Sequence, residues 1–146
     1  MKEFEEFVRK GIIKKQSANL SISRDLLEES ERKYNSLKII LGKIGLKEEN
    51  ANDIVEYCYD ILIGLVRAKL HLDGYKSSGG GAHEAEISYI IQLGFSETDA
   101  RIMDELRYFR NGIKYYGKRF SVDYAKKIID FLEKNYERLR RLINII

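Results

Sequence analysis

Basic side chains that could bind an anion are concentrated between residues 101 and 127. This segment holds eight basic and three acidic residues, a net charge of +5, whereas the whole chain carries +3. The remainder of the chain is therefore slightly acidic, and we expect an anionic partner to bind within this segment. Its basic residues are Arg101, Arg107, Arg110, Lys114, Lys118, Arg119, Lys126 and Lys127.

Arg110 is the residue of this segment best suited to hold a phosphate group. A guanidinium group is planar, stays charged and can pair with two phosphate oxygens at once. Arg110 also follows Phe109 and comes four residues after Leu106, so it borders an apolar helical stripe. At such an edge, the alternative is an arginine that extends to solvent or pairs with an acid.

Asn111 and Tyr115 are four residues apart and therefore share one face of a helix. Three basic residues lie close to this face: Arg107, Lys114 and Lys118. Amide, phenol and cationic groups together could form a groove for a nucleotide phosphate or an RNA backbone, and the alternative is a solvated basic face. Tyr108, Tyr115 and Tyr116 could stack on bases, or pack in the core or in a dimer.

Helical periodicity of apolar residues dominates the elements that must position these side chains. No segment shows convincing strand alternation, and the absence of proline suits long helices. We predict helices over residues 2–14, 23–44, 47–72 and 82–93, a fifth that opens at Ser96 and a sixth capped by Ser121, with a linker over residues 16–22. Gly45 is expected to end the second helix.

The sequence therefore predicts one all-α domain over residues 1–146. Short connections favour antiparallel neighbours, hence an up-and-down helical bundle of four main helices plus one or two short helices. Residues 1–22 are expected to form a short helix and a linker before the bundle.

Composition narrows the compartment and the chemistry. Cys58 is the only cysteine, which excludes an internal disulfide and indicates the reducing cytoplasm. The N-terminus is unlike a signal peptide, and no apolar run approaches the ~20 residues that span a bilayer. His71 and His83 are not at metal-binding spacing with each other or with Cys58. We therefore predict no metal, no cofactor and no membrane association, and a buried Cys58.

A glycine-rich stretch, residues 77–81, follows the third predicted helix. It lacks the Gly-x-x-x-x-Gly-Lys-Ser/Thr pattern of a phosphate-binding loop and follows a helix instead of a strand. We interpret it as a flexible connector and expect the basic helix, not this loop, to be the anion site. His83, just after the loop, could approach the basic helix in the fold or across a dimer.

Two segments of the chain resemble the HEPN family of helical nucleotide- and RNA-associated proteins. The first is Glu-Leu-Arg-Tyr-Phe-Arg-Asn-Gly-Ile-Lys-Tyr-Tyr, residues 105–116, and the second joins two helices over residues 72–85. The family signature is an Arg, usually followed by a polar residue, with a His about five positions later. Arg110 and Asn111 match its start, and Tyr115 stands where the His is expected. The likeness spans residues 47–138.

The resemblance implies a homodimer, often partnered by a small nucleotidyltransferase of the MNT type. In family members that are metal-independent ribonucleases, the Arg and His of two subunits form a composite site. Tyrosine, with an ordinary pKa of about 10, is a poor general base at neutral pH. We therefore expect a homodimeric nucleotide- or RNA-binding module that acts with a nucleotidyltransferase in a toxin–antitoxin-like system.

Two alternatives stay open. The chain could be a metal-independent endoribonuclease toxin in which Arg110 and Tyr115 are catalytic, or in which His83 replaces the missing imidazole. It could also be a structural partner protein that binds no nucleic acid. The predicted nucleotide- or RNA-binding residues are Arg107, Arg110, Asn111, Lys114, Tyr116 and Lys118.

Overall fold

A computed structural model describes residues 2–144, apart from the side chains of Lys114 and Tyr115. The helices are α1 (Phe4–Arg9), α2 (Leu20–Lys43), α3 (Ala51–Leu72), α4 (Ala82–Gln92), α5 (Glu97–Tyr116) and α6 (Val122–Leu142), with a 3-10 turn at Glu48–Asn50. Two short strands are β1 (Ile13–Lys15) and β2 (Tyr75–Ser77). Four long and two short helices confirm the predicted all-α bundle. Over the described range, every helix is too short or too polar to cross a bilayer.

The four long helices alternate in direction. Ser23 Oγ donates to the carbonyl of Ala68, and Ser30 Oγ donates to that of Ile61, so α2 and α3 run antiparallel. Contacts in the same reversed order join α3 with α5 and α5 with α6. The arrangement is up-and-down, as the short connections predict.

Helix α3 is the centre of the bundle, because thirteen of its 22 residues are buried. On one side α2 and α6 meet through Tyr34 and Tyr136, whose rings stack with centroids 3.7 Å apart. Helices α4 and α5 pack on α3 as well. Cys58 is buried in α3 as predicted, and its burial raises the pKa of the thiol to about 12. The fold thus holds α5 against a buried central helix.

Side-chain caps begin three of the four long helices, α2, α5 and α6, and the cap of α2 is not where the sequence indicates. Ser96 and Ser121 cap α5 and α6 as predicted, since each side-chain oxygen accepts a backbone N–H three residues on at 3.1 Å. The prediction that Ser23 caps α2 is wrong. Asn19 caps this helix at 3.0 Å, and Ser23 lies one turn inside it, buried against α3.

The pairing of β1 with β2 is a second departure from the sequence prediction, which contains no strand. The strands are antiparallel, with Ile13 opposite Ser77. Helix α1 ends at Arg9 instead of near residue 14, because Gly11 turns the chain with a φ of +76°. The backbone N–H of Ser78 also donates to Ile12 at 3.0 Å. The N-terminal segment therefore fixes where the glycine-rich loop begins.

Gly64 of α3 gives a stability test of the contact between α2 and α3. A Cβ at Gly64 would lie 2.2 Å from Ser30 Oγ. We expect Gly64→Ala to lower the free energy of unfolding by about 1 kcal/mol, because overpacking costs about 1–3 kcal/mol and alanine regains about 1 kcal/mol of helix propensity. In a Ser30→Ala background, the same change is expected to be neutral or stabilising. Urea denaturation of the four proteins measures both effects, and equal destabilisation in the two backgrounds would show that Ser30 is not the obstacle.

Candidate anion-binding site

A cavity of about 410 Å³ lies between α3, the glycine-rich loop with the start of α4, and α5. We call it the arginine cavity. Its lining includes glycines 79–81 and the residues Tyr59, His83, Glu84, Arg107, Arg110 and Asn111. The cavity therefore joins three separate parts of the chain around two guanidinium groups.

Arg110 is held in place from α3. Its Nε lies 3.4 Å from Asp60 Oδ1, and its guanidinium carbon lies 5.6 Å from the centroid of the Tyr59 ring. This Nε is buried and makes no hydrogen bond within the described part of the chain. Asp60 also accepts a hydrogen bond from Lys33 Nζ at 3.4 Å, so two cations share one carboxylate. Arg110 is thus anchored by contacts that do not neutralise it fully.

Arg107 lies one turn before Arg110 on α5. Its Nε donates to Asp104 Oδ1 at 2.9 Å, and the pair is within one helical turn. Because a guanidinium has five N–H donors, contacts at Nε orient the side chain and leave terminal donors for a ligand. Asn111 is exposed four residues after Arg107 and adds an amide to the same cavity. Two oriented arginines and an amide suit a phosphate group.

His83 enters the cavity from the start of α4 and is held by a charged pair behind it. Arg67 Nε donates to Glu86 Oε2 at 2.7 Å, and Arg67 Nη2 lies 2.6 Å from His83 Nδ1. Glu86 Oε1 lies farther from the same nitrogen, at 3.5 Å. Partial burial lowers the pKa of His83 below its ordinary value; Arg67, Arg110 and Arg107 lower it further, and Glu86 opposes them in part. The imidazole is therefore neutral at neutral pH.

The glycine-rich loop forms one wall of the arginine cavity. Gly79 and Gly81 have φ values of +80° and +86°, and Ala82 N–H donates to the Gly79 carbonyl across the turn. The sequence predicts an anion site on the basic helix and not on the loop, whereas the loop and the basic helix both line one cavity. Glu84, in the first turn of α4, also lines the cavity and opposes an anion.

The structure brings together half of the predicted binding residues. Arg107, Arg110 and Asn111 line the arginine cavity. Tyr116 is 81% exposed at the end of α5, and Lys118 follows that helix, where its carbonyl accepts from Asn52. Neither residue lines the cavity. The side chains of Lys114 and Tyr115, which include the predicted catalytic tyrosine, lie outside the described residues.

Sequence reasoning missed Tyr59, Arg67 and Glu86. A signal was present for one of them, because Arg67 interrupts the most apolar stretch of the chain. A charge in such a stretch is retained only when it is paired or used. Its partner Glu86 lies three residues after His83 on α4, and its side chain is 6% exposed.

A second cleft, of about 290 Å³, lies between the N-terminal segment, α4 and the start of α5. Charges of both signs line it: Lys2, Glu3, Glu5, Glu97 and Arg101. Three acids against two bases do not favour an anion. We therefore place the candidate site in the arginine cavity.

Comparisons with known proteins add no family assignment. No protein-family model matches the chain, and no curated protein or solved structure shows significant similarity to it.

Proposed function

We propose that the chain is a HEPN-like module that binds RNA or a nucleotide by holding a phosphate in the arginine cavity. One observation carries the proposal: Arg110 and Asn111, which match the HEPN signature, line a cavity together with Arg107. These residues supply charge and directed donors, which are the groups that recognise phosphate oxygens. Asp60 and Asp104 orient the two arginines from outside the ligand position.

Binding of a labelled single-stranded RNA oligonucleotide at several salt concentrations tests the proposal. The logarithm of the affinity should fall linearly with the logarithm of the salt concentration, because phosphate contacts release counterions. Absence of binding to RNA and to mononucleotides at low salt would contradict the proposal and leave the structural-partner alternative.

We further propose that the chain forms a homodimer that works in the cytoplasm with an MNT-type nucleotidyltransferase in a toxin–antitoxin-like system. The resemblance to HEPN proteins supports the partner, and the single cysteine supports a reducing compartment. Co-purification with a nucleotidyltransferase encoded beside this chain would test the partnership.

We expect a homodimer whose interface includes α5 and α6. Tyr108 is 69% exposed and Tyr116 is 81% exposed, so both leave aromatic surface for a second copy. Phe109, Phe120 and Tyr124 form an adjoining aromatic cluster across the two helices. Light scattering should give the mass of two chains, and a monomer that persists at tens of micromolar would contradict the expectation.

A metal-independent ribonuclease is the second candidate, favoured by the position of His83 beside Arg107 and Arg110. We expect the unmodified protein to cleave RNA feebly or not at all. Tyr115 would need its pKa lowered by about three units to act as histidine does, equivalent to about 4 kcal/mol. Tyr115→His should increase cleavage of total RNA in EDTA, and Tyr115→Phe is the matched control. Strong EDTA-resistant cleavage by the unmodified protein, abolished in Tyr115→Phe, would make tyrosine the acid–base group.

A further inference from the structure

We propose that His83 is a phosphate-binding residue, held by Arg67 and Glu86 as a neutral imidazole that donates its Nε2–H to a phosphodiester oxygen in the arginine cavity. The inference rests on the proposed function and names one more ligand contact at the same site. It assigns His83 to binding instead of acid–base catalysis.

The protonation of the ring follows from the contact with Arg67. A guanidinium has only donors and keeps its charge, so Arg67 Nη2, 2.6 Å from His83 Nδ1, requires a lone pair on that nitrogen. A neutral imidazole with Nδ1 as acceptor carries its single proton on Nε2. The contact from Glu86 Oε1 to Nδ1, at 3.5 Å, is too long to compete with a bond of 2.6 Å.

Glu86, which pairs with Arg67 behind the imidazole ring, fixes the position of the Arg67 side chain. Glu86 is 4% exposed, and burial of a carboxylate is unfavourable unless it is paired. Glu86 Oε2 accepts a hydrogen bond from Arg67 Nε, and Arg67 Nη2 is then free to contact the imidazole. The contacts from Glu86 to Arg67 and from Arg67 to His83 therefore set the tautomer of the imidazole, although the His83 side chain is 58% exposed.

Three arginines of α3 and α5 oppose a second proton on this ring, whereas Glu86 of α4 favours it. Arg67 faces it from α3, and Arg107 and Arg110 lie across the cavity on α5. Glu84 and Glu86 of α4 are the acids beside it, and Glu86 is already paired with Arg67. A doubly protonated ring would set Nδ1–H against the Arg67 donor at 2.6 Å. His83 therefore binds as a neutral donor, and its Nε2 has no lone pair to accept the 2′-hydroxyl proton of RNA.

Nitrogen-15 NMR of the histidine rings tests the tautomer without a ligand. At pH 7.5 the spectrum should show His83 with its proton on Nε2, and a proton on Nδ1 would overturn the inference. His71→Gln removes the only other histidine and so assigns the signals.

Titration with an RNA oligonucleotide that has no terminal phosphate tests the contact itself. His83→Ala should weaken binding about tenfold or more, because a hydrogen bond to a charged group is lost. His83→Gln, which retains a neutral N–H donor, should recover most of that affinity, and His71→Gln should leave it unchanged. Between pH 8 and pH 6.5 the affinity should be flat.

Two results contradict this inference. Affinity that rises as the pH falls, abolished in His83→Gln, would show a cationic histidine instead. Unchanged binding in His83→Ala, together with weakened binding in Arg110→Gln, would remove His83 from the site and leave the proposed function standing. If the unmodified protein binds neither RNA nor mononucleotides, both proposals fail together.

Discussion

Replacing Arg110 with glutamine is expected to weaken binding of single-stranded RNA by about 10- to 150-fold. A hydrogen bond that involves a charged partner contributes about 1.5–3 kcal/mol, and each 1.4 kcal/mol is a factor of ten in affinity. Arg110 is the only side chain of the cavity that contacts α3 through both an acid and an aromatic ring in the described structure. Its guanidinium should therefore lose little freedom when a phosphate binds.

The salt dependence separates a lost phosphate contact from general damage. One phosphate contact fewer should flatten the slope of log affinity against log salt by about 0.7 for a single strand. Arg32→Gln is the matched control, because Arg32 is an exposed arginine that pairs with Glu29 on α2. Equal losses in Arg32→Gln and Arg110→Gln would show that total charge, not the arginine cavity, governs binding.

The glycine-rich loop gives a second comparison. The loop and the basic helix are separate in sequence, yet both line the cavity. Alanines at positions 79–81 should reduce affinity less than Arg110→Gln, because the loop offers no charged side chain. A larger loss from the loop variant would move the centre of the site from α5 to the start of α4.

The helices were predictable because their signals are local. Apolar periodicity places all six, and Ser96 and Ser121 cap their helices as the sequence indicates. The start of α2 was not predictable in this way. Asn19 and Ser23 are both good capping residues four positions apart, and the choice depends on Ser23 finding a buried acceptor on α3. Packing between α2 and α3 therefore decides which of the two residues caps α2.

The two strands and part of the site could not be predicted from the sequence for a related reason. Strands of three residues are too short to show alternation, and β1 and β2 are about 60 residues apart in sequence. Their pairing ties the N-terminal segment to the loop before α4. Helical spacing could group Arg107, Arg110 and Asn111, since they share one element. No spacing rule could add Tyr59 or Arg67, because both belong to α3. His83 of α4 was suggested only by its place beside the glycine-rich loop.

Replacing Arg67 with methionine is expected to lower the free energy of unfolding by about 3 kcal/mol. Methionine retains the apolar stem of the side chain and removes the charge, so the buried Glu86 loses its partner. Breaking a buried ion pair costs about 3–5 kcal/mol, and the 29% exposure of the Arg67 side chain places the effect at the lower end. Thermal and urea denaturation of the single variant measure this loss.

The double variant Arg67→Met, Glu86→Leu is expected to regain most of that stability, because it leaves no unpaired charge between α3 and α4. An apolar pair can equal a buried ion pair in stability, so stability alone does not explain an ion pair at this position. The function assigned to the pair is to hold His83. The double variant should therefore fold well, lose the fixed Nε2–H tautomer of His83 and bind RNA about as weakly as His83→Ala. A stable double variant with the affinity of the unmodified protein would show that the pair serves packing alone.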